Sequence, residues 1–209
     1  MTIIIIMCAL SLILGYIIGS LPSAYIMGRL RKRGDIRQVG SRNMGAMNVF
    51  YQIGFAEGVI VLSTDIAKGA AAVALARYLG TPEWLQLLAG LAALAGHIFP
   101  VFLKFRGGRG GATCIGILAF LMPWGIPFYL ALFGISLLIS RYPTFSYSLA
   151  FLCFPFVAGF IYHSWVLVAY SAALILILAI GYLPRIKEMR AKGGSWTHVA
   201  LRKDLKDRF

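Results

Sequence analysis

Seven apolar runs divide the chain, at residues 2–27, 53–79, 85–103, 112–122, 128–140, 147–162 and 165–183. About 20 apolar residues are needed for a helix to cross the hydrocarbon core of a bilayer. Five of the runs are read as full spans. The run 112–122 rises only about 17 Å at 1.5 Å per residue. It faces 128–140 across Pro123-Trp124-Gly125-Ile126-Pro127, so the two form either a pair of short helices or one hairpin that partly re-enters. The simplest total is seven crossings. Composition agrees: 60% of the residues are hydrophobic and 13% are charged, against about 25% charged in an ordinary soluble domain. Too few polar residues remain to cover a soluble surface. A soluble fold, a disordered chain and a secreted disulfide scaffold are excluded. The expectation is an all-α polytopic membrane bundle forming a single domain over residues 1–209, with a short helix pair at 112–140. Residues 2–27 lack a basic region in front of the apolar stretch, and the basic cluster follows it. The first run therefore reads as a retained membrane helix and not a cleaved signal.

The charge is lopsided, with 20 Lys+Arg against 7 Asp+Glu. Basic residues gather at Arg29, Arg31, Lys32, Arg33, Arg37 and Arg42, at Lys104, Arg106 and Arg109, at Arg141, and in the tail from Arg185 to Arg208. The intervening loops, Thr81-Pro82-Glu83, 123–127 and His163-Ser164, carry none. Seven alternating crossings put every basic loop on one side, which the positive-inside rule makes cytoplasmic. The N-terminus is then outside and the C-terminus inside, with 185–209 as a short amphipathic or loose cytoplasmic tail carrying Trp196, Val199 and Leu201. Topology accounts for the excess charge without nucleic acid. Anionic lipid or a phosphorylated substrate is the next candidate for it.

Three constellations could carry chemistry. Gly40-Ser41-Arg42-Asn43-Met44-Gly45-Ala46-Met47-Asn48 follows the first run. Such residues favour turns with exposed N–H groups, which form anion nests; the plainer reading is a turn with Asn48 capping the next helix. Lys104-Phe105-Arg106-Gly107-Gly108-Arg109-Gly110-Gly111-Ala112-Thr113 follows the third run. Its glycines allow close backbone approach, its arginines suit phosphate oxygens, and a helix N-terminus follows. The spacing is not that of a Walker A loop. An anion site or a flexible basic loop at the headgroups would both fit. Asp65 and Lys68, three apart inside an apolar run, can pair on one helix face, with a substrate contact by Lys68 as the other use.

Other signals are weak. His97 reads as a helix-end hydrogen-bonding residue before Pro100; His163 falls in a loop and His198 in the tail. No histidine has an acid five residues on, and no Ser-His-Asp order or metal-ligand cluster is visible. Cys8, Cys114 and Cys153 lie in apolar runs without paired spacing and read as buried thiols.

These residues resemble the PlsY family of bacterial acyl-phosphate:glycerol-3-phosphate acyltransferases, from the first helix to about residue 145. Gly40 to Val49 is similar to the family's G-S-x-N-x-G-A-T-N-V. Asp65-Ile66-Ala67-Lys68-Gly69 is similar to D-x-x-K-G. Gly96-His97-Ile98-Phe99-Pro100 and the run Gly107 to Thr113 complete the ordered set. The resemblance implies a seven-helix membrane bundle with its N-terminus outside. It implies transfer of a fatty acyl group from acyl phosphate to glycerol 3-phosphate, giving lysophosphatidic acid, without metal or nucleotide cofactor, in the bacterial plasma membrane with the active face cytoplasmic, by a monomer. An acyl phosphate is already activated, so positioning and charge neutralisation suffice. Ser41, Asn43 and Arg109 would be catalytic. Arg42, Gly45, Asn48, Lys68, Arg106, Gly107, Gly108, Gly110, Gly111, Thr113, Arg141 and Thr144 would bind substrate or phosphate, the glycines through their N–H groups, and the acyl tail would lie between helices. The chain departs from the family at Tyr51 (usually arginine), at Tyr147 (serine), and at Pro184 and Lys187 (histidine and asparagine). Two other readings stand beside this one: a non-catalytic paralogue binding lipid or phosphometabolite, and a small transporter, since broken helices also serve transport.

Overall fold

The computed structural model describes residues 2–193. Helices α1 (Thr2–Gly19), α2 (Ser23–Leu30), α3 (Ala46–Gln52), α4 (Phe55–Tyr78), α5 (Glu83–Ile98) and α6 (Gly111–Leu121) are followed by α7 (Gly125–Ser140), α8 (Pro143–Ala150), α9 (Cys153–Phe160) and α10 (Trp165–Gly193). Among the described residues, five segments are long and apolar enough to span, at Ile5–Leu30, Phe55–Tyr78, Glu83–Leu103, Pro143–Phe160 and Trp165–Glu188, and α6 and α7 are shorter apolar helices. This is the expected pattern of five spans and a short pair.

The boundaries differ from the apolar runs where proline acts. The first run is not one helix. Pro22 has no N–H to continue the ladder of α1, so the chain breaks after Gly19 and resumes at Ser23. The run 147–162 splits likewise into α8 and α9, with Pro155 in the first turn of α9, where no N–H is needed. Helix α7 starts at Gly125 and takes Pro127 into its own first turn, so 123–127 is only partly loop. Helix α10 runs through Pro184 to Gly193. The tail calls at Trp196, His198, Val199 and Leu201 lie outside the described residues. Cys114 is buried, but Cys8 and Cys153 are only half-buried.

The chain forms two compact units, one up to Leu121 and the other from Met122. In the first, α4 packs on α6, and α1 packs on α5 and α4. Glycines set these approaches. A Cβ on Gly69 would strike the Thr113 carbonyl, one on Gly116 the Ile66 carbonyl, and one on Gly96 the Tyr16 carbonyl. Small residues let helices pack closely where lipid offers no hydrophobic drive to do so. The segment between α2 and α3 is polar by composition yet folded over an apolar core. Ile36, Met44, Val49, Val61 and Leu103 are buried there with Ala24 and Ala46. In the second unit, α7 packs on α8 and α9, and α9 on α10. Tyr129, Phe151 and Phe154 form an aromatic cluster there, with centroids 5.4 to 6.1 Å apart.

Candidate active site

Two loops of the first unit carry most of the candidate residues. The first runs from α2 to α3. Its organiser is Asn48, which lies in the first turn of α3 and is 2% exposed. Its Nδ2 donates to the carbonyls of Ile36, Val39 and Asn43 at 3.0 to 3.1 Å, and its Oδ1 accepts from the Ser41 N–H at 3.1 Å. Asn48 therefore does not cap α3; Gly45 occupies that position. The amide is committed to shaping the loop. Gly40 has φ +58°, and a Cβ there would strike the side chains of Asn48 and Gln52. Arg42 has φ +57°, an unusual conformation for a non-glycine residue, and stands exposed between half-buried Ser41 and Asn43.

The second loop joins α5 to α6. The N–H of Gly107 donates to the Ile98 carbonyl and that of Gly108 to the His97 carbonyl, both at 3.0 Å. These two N–H groups are thus engaged in anchoring the loop. In the first turn of α6 the N–H groups of Gly111, Ala112 and Thr113 have no acceptor within the helix. Glycine is needed at 108 for space: a Cβ would strike His97 Nε2 and approach the Met44 carbonyl to 2.9 Å. Gly110 has φ +87°. The two sequence motifs therefore pack against each other through Met44 and Gly108.

Arg37 joins the loops a second time. Its Nη1 donates to the carbonyls of Leu103 and Arg106 at 3.2 and 3.4 Å. Its Nη2 and Nε bind the Asp35 carboxylate at 2.7 and 3.0 Å. The Arg37 hydrogen bond holds the Asp35 carboxyl below the usual carboxylate range, and Asp35 raises Arg37 in return.

Beneath the loops lies a buried polar cluster. Asp65 Oδ1 accepts from Lys68 Nζ at 2.8 Å and from Ser23 Oγ at 2.7 Å, so the expected pair forms. Lys68 Nζ also donates to the Leu21 carbonyl at 3.1 Å, at the break that Pro22 causes. Its ammonium is spent inside the fold, not at the loop surface. His97 does not make the expected helix-end bond. It is 3% exposed, its Nδ1 is 3.8 Å from Asp65 Oδ1, and its Nε2 faces Gly108. Thr113 is fully buried, its hydroxyl lacking a hydrogen-bond partner among the described residues.

In the second unit, Arg141 (φ +52°) ends α7 and Thr144 sits in the first turn of α8. The Ser140 and Ser146 hydroxyls lie 3.0 Å apart and brace this corner. Thr144 lines a mainly apolar cavity of about 400 Å³ between α8 and α10. Tyr147 and Tyr182 also line it, joined hydroxyl to hydroxyl at 2.6 Å.

Relatives can now be set beside this geometry. The family model described as glycerol-3-phosphate acyltransferase matches residues 9–192. The chain belongs to the glycerol-3-phosphate acyltransferase family. It is 49% identical over 207 residues to glycerol-3-phosphate acyltransferase 2 of Dehalococcoides mccartyi strain CBDB1, covering 98% of this chain and 99% of that one. Its fold matches the crystal structure of PlsY (YgiH), an integral membrane glycerol 3-phosphate acyltransferase, in the glycerol 3-phosphate form. The TM-score is 0.82 at 26% identity, over 97% of this chain and 95% of the other. The lysophosphatidic acid form of PlsY matches with a TM-score of 0.76 at 26% identity, over 88% and 92%. This acyltransferase-family chain is thus an all-α, multi-pass integral membrane protein.

Sequence reading of this family member missed three contributors. Arg37 was visible only as loop charge, although Asp35 two residues before it was a signal. Ser23 had none beyond following Pro22. The sequence reads His97 only as a helix-end residue, because its neighbours, Asp65 of α4 and Gly108 of the second loop, are distant in the chain.

Proposed function

We propose that this protein transfers a fatty acyl group from acyl phosphate to the 1-hydroxyl of glycerol 3-phosphate, releasing lysophosphatidic acid and inorganic phosphate. The ester C–O bond forms as the acyl C–O bond to phosphate breaks, and the hydroxyl proton leaves with the phosphate. One observation carries this reading: the hydroxyl- and amide-bearing loop and the glycine-arginine loop pack into a single basic surface through Met44 and Gly108. Two phosphates must be neutralised side by side, and the surface offers Arg42, Arg106, Arg109 and the first turn of α6. Ser41 and Asn43 are assigned to a phosphate or the reacting carbonyl, and Arg109 to phosphate. Gly45, Gly107 and Gly108 serve by keeping the backbones close, and Gly110 and Gly111 by presenting N–H groups. Asn48, Lys68 and Thr113 support the site from beneath. Arg141 and Thr144 of the second unit are assigned to substrate. The loops are placed on the cytoplasmic face of a bacterial plasma membrane, supported by the charge of the loops. A match along nearly the whole chain favours the transferase over a transporter.

The test is direct. Purified protein is given acyl phosphate and labelled glycerol 3-phosphate, and lysophosphatidate is measured. Ser41→Ala and Arg109→Ala should each lower kcat/KM by about 100-fold or more, the loss of preorganised donors at developing charge. Full activity in both variants would overturn the site assignment, and no product from the wild type would overturn the function.

A further inference from the structure

The loop that carries Gly107 and Gly108 enters through a costly turn. Lys104 and Phe105 are consecutive non-glycine residues with φ +53° and +59°. Such residues persist only where their surroundings over-determine them. Packing of the side chain does not do this, since Phe105 is 59% exposed. From within, the turn is closed by Phe105 N–H to the Pro100 carbonyl at 3.0 Å and Arg106 N–H to the Leu103 carbonyl at 3.3 Å. From outside, Arg37 Nη1 takes the carbonyls of Leu103 and Arg106, the two residues that flank the strained pair. Asp35 aims the guanidinium by holding Nε and Nη2, and the Tyr25 ring lies 5.4 Å from its centre. Nε, Nη1 and one N–H of Nη2 are engaged, and the charge stands against a carboxylate. Phosphate would have to compete with Asp35 for it.

We propose that Arg37, oriented by Asp35, is a positioning residue: it fixes the Lys104–Phe105 turn and so sets the affinity of the glycine-arginine loop for glycerol 3-phosphate without touching that substrate. The inference rests on the transferase reading above. A lysine cannot replace the planar fork, so charge alone does not preserve the function.

Glycerol 3-phosphate is titrated calorimetrically into wild type, Arg37→Lys and Asp35→Asn, with thermal midpoints and turnover measured alongside. In both variants Kd and KM for glycerol 3-phosphate should rise about 10-fold or more, with kcat within about twofold and the bound stoichiometry intact. A phosphate ligand predicts the opposite sign for one variant, since Asp35→Asn would free the guanidinium and tighten binding; that result overturns the proposal. A merely structural role lowers the thermal midpoint and the binding-competent fraction and leaves Kd unchanged, which also overturns it. Wild type that binds glycerol 3-phosphate without turnover refutes the transferase reading and leaves the affinity test standing. Normal turnover with unchanged Kd and KM in both variants refutes the positioning role alone.

Discussion

Gly108 shows how tightly one residue can be specified. Its missing Cβ is the space in which His97 Nε2 and the Met44 carbonyl meet the loop. Gly108→Ala must push the loop away from one or both. A displacement of about 1 Å at a positioned site can cost about 100-fold in rate, so kcat/KM should fall by at least that factor. Gly134 in α7 is the control, with nothing within 4 Å of an added Cβ. Gly134→Ala should keep full activity and gain up to about 1 kcal/mol from helix propensity. Steady-state kinetics and thermal unfolding of the two proteins check this. Asn48 makes a related point about legibility. The sequence offered it as a cap or a phosphate ligand, since its neighbours are polar. Its actual partners are backbone groups, the Ser41 N–H and carbonyls up to twelve residues away, and a pattern of residue types cannot show where a loop's backbone turns.

At the scale of elements, the ion pair in α4 and the break after α1 are one feature. At the break around Pro22 the Leu21 carbonyl lies between the two helices and accepts a turn bond from the Ser23 N–H at 3.1 Å, and hydrocarbon supplies no further donor. Lys68 adds a second donor to that carbonyl across 47 residues of sequence while neutralising Asp65. The i,i+3 spacing was enough to foresee the pair. The break needed Pro22 to be weighed against the apolar run around it, and the link between the two needed the packing of α1 on α4. Lys68→Met removes one buried partner and leaves the side chain of Asp65 1% exposed and uncompensated. Such a loss costs about 3–5 kcal/mol. Adding Asp65→Leu should recover most of it, apart from the Ser23 hydroxyl bond to Asp65 and the Lys68 bond to the Leu21 carbonyl. Denaturation of the single and double variants in detergent measures the coupling; additive effects would mean that the pair stabilises nothing.

For the whole molecule, the apolar runs forecast the five spans and the short helix pair but not the breaks within them, and the contacts in the first unit bear on sidedness. Helices α4 and α5 leave and return, so the loops before α4 and after α5 must share one end, and the Arg37 and Met44 contacts show that they do. That end carries Arg29, Arg31, Lys32, Arg33, Arg37, Arg42, Lys104, Arg106 and Arg109. The opposite end, around Thr81 to Glu83, has Arg77 nearby. That arginine donates to Gln86 at 3.1 Å and lies 4.7 Å over the Phe120 ring. Under the positive-inside rule the asymmetry supports the proposal that the paired loops face the cytoplasm, where glycerol 3-phosphate would reach them without crossing the bilayer. With Cys8, Cys114 and Cys153 replaced, Glu83→Cys should react with a membrane-impermeant thiol reagent added to intact cells. Arg33→Cys should react only after the membrane is opened. Both positions are exposed, so access and not burial decides the labelling. Labelling of residue 33 but not 83 in intact cells would invert the orientation and put the proposed active surface on the wrong side of the membrane for its substrate.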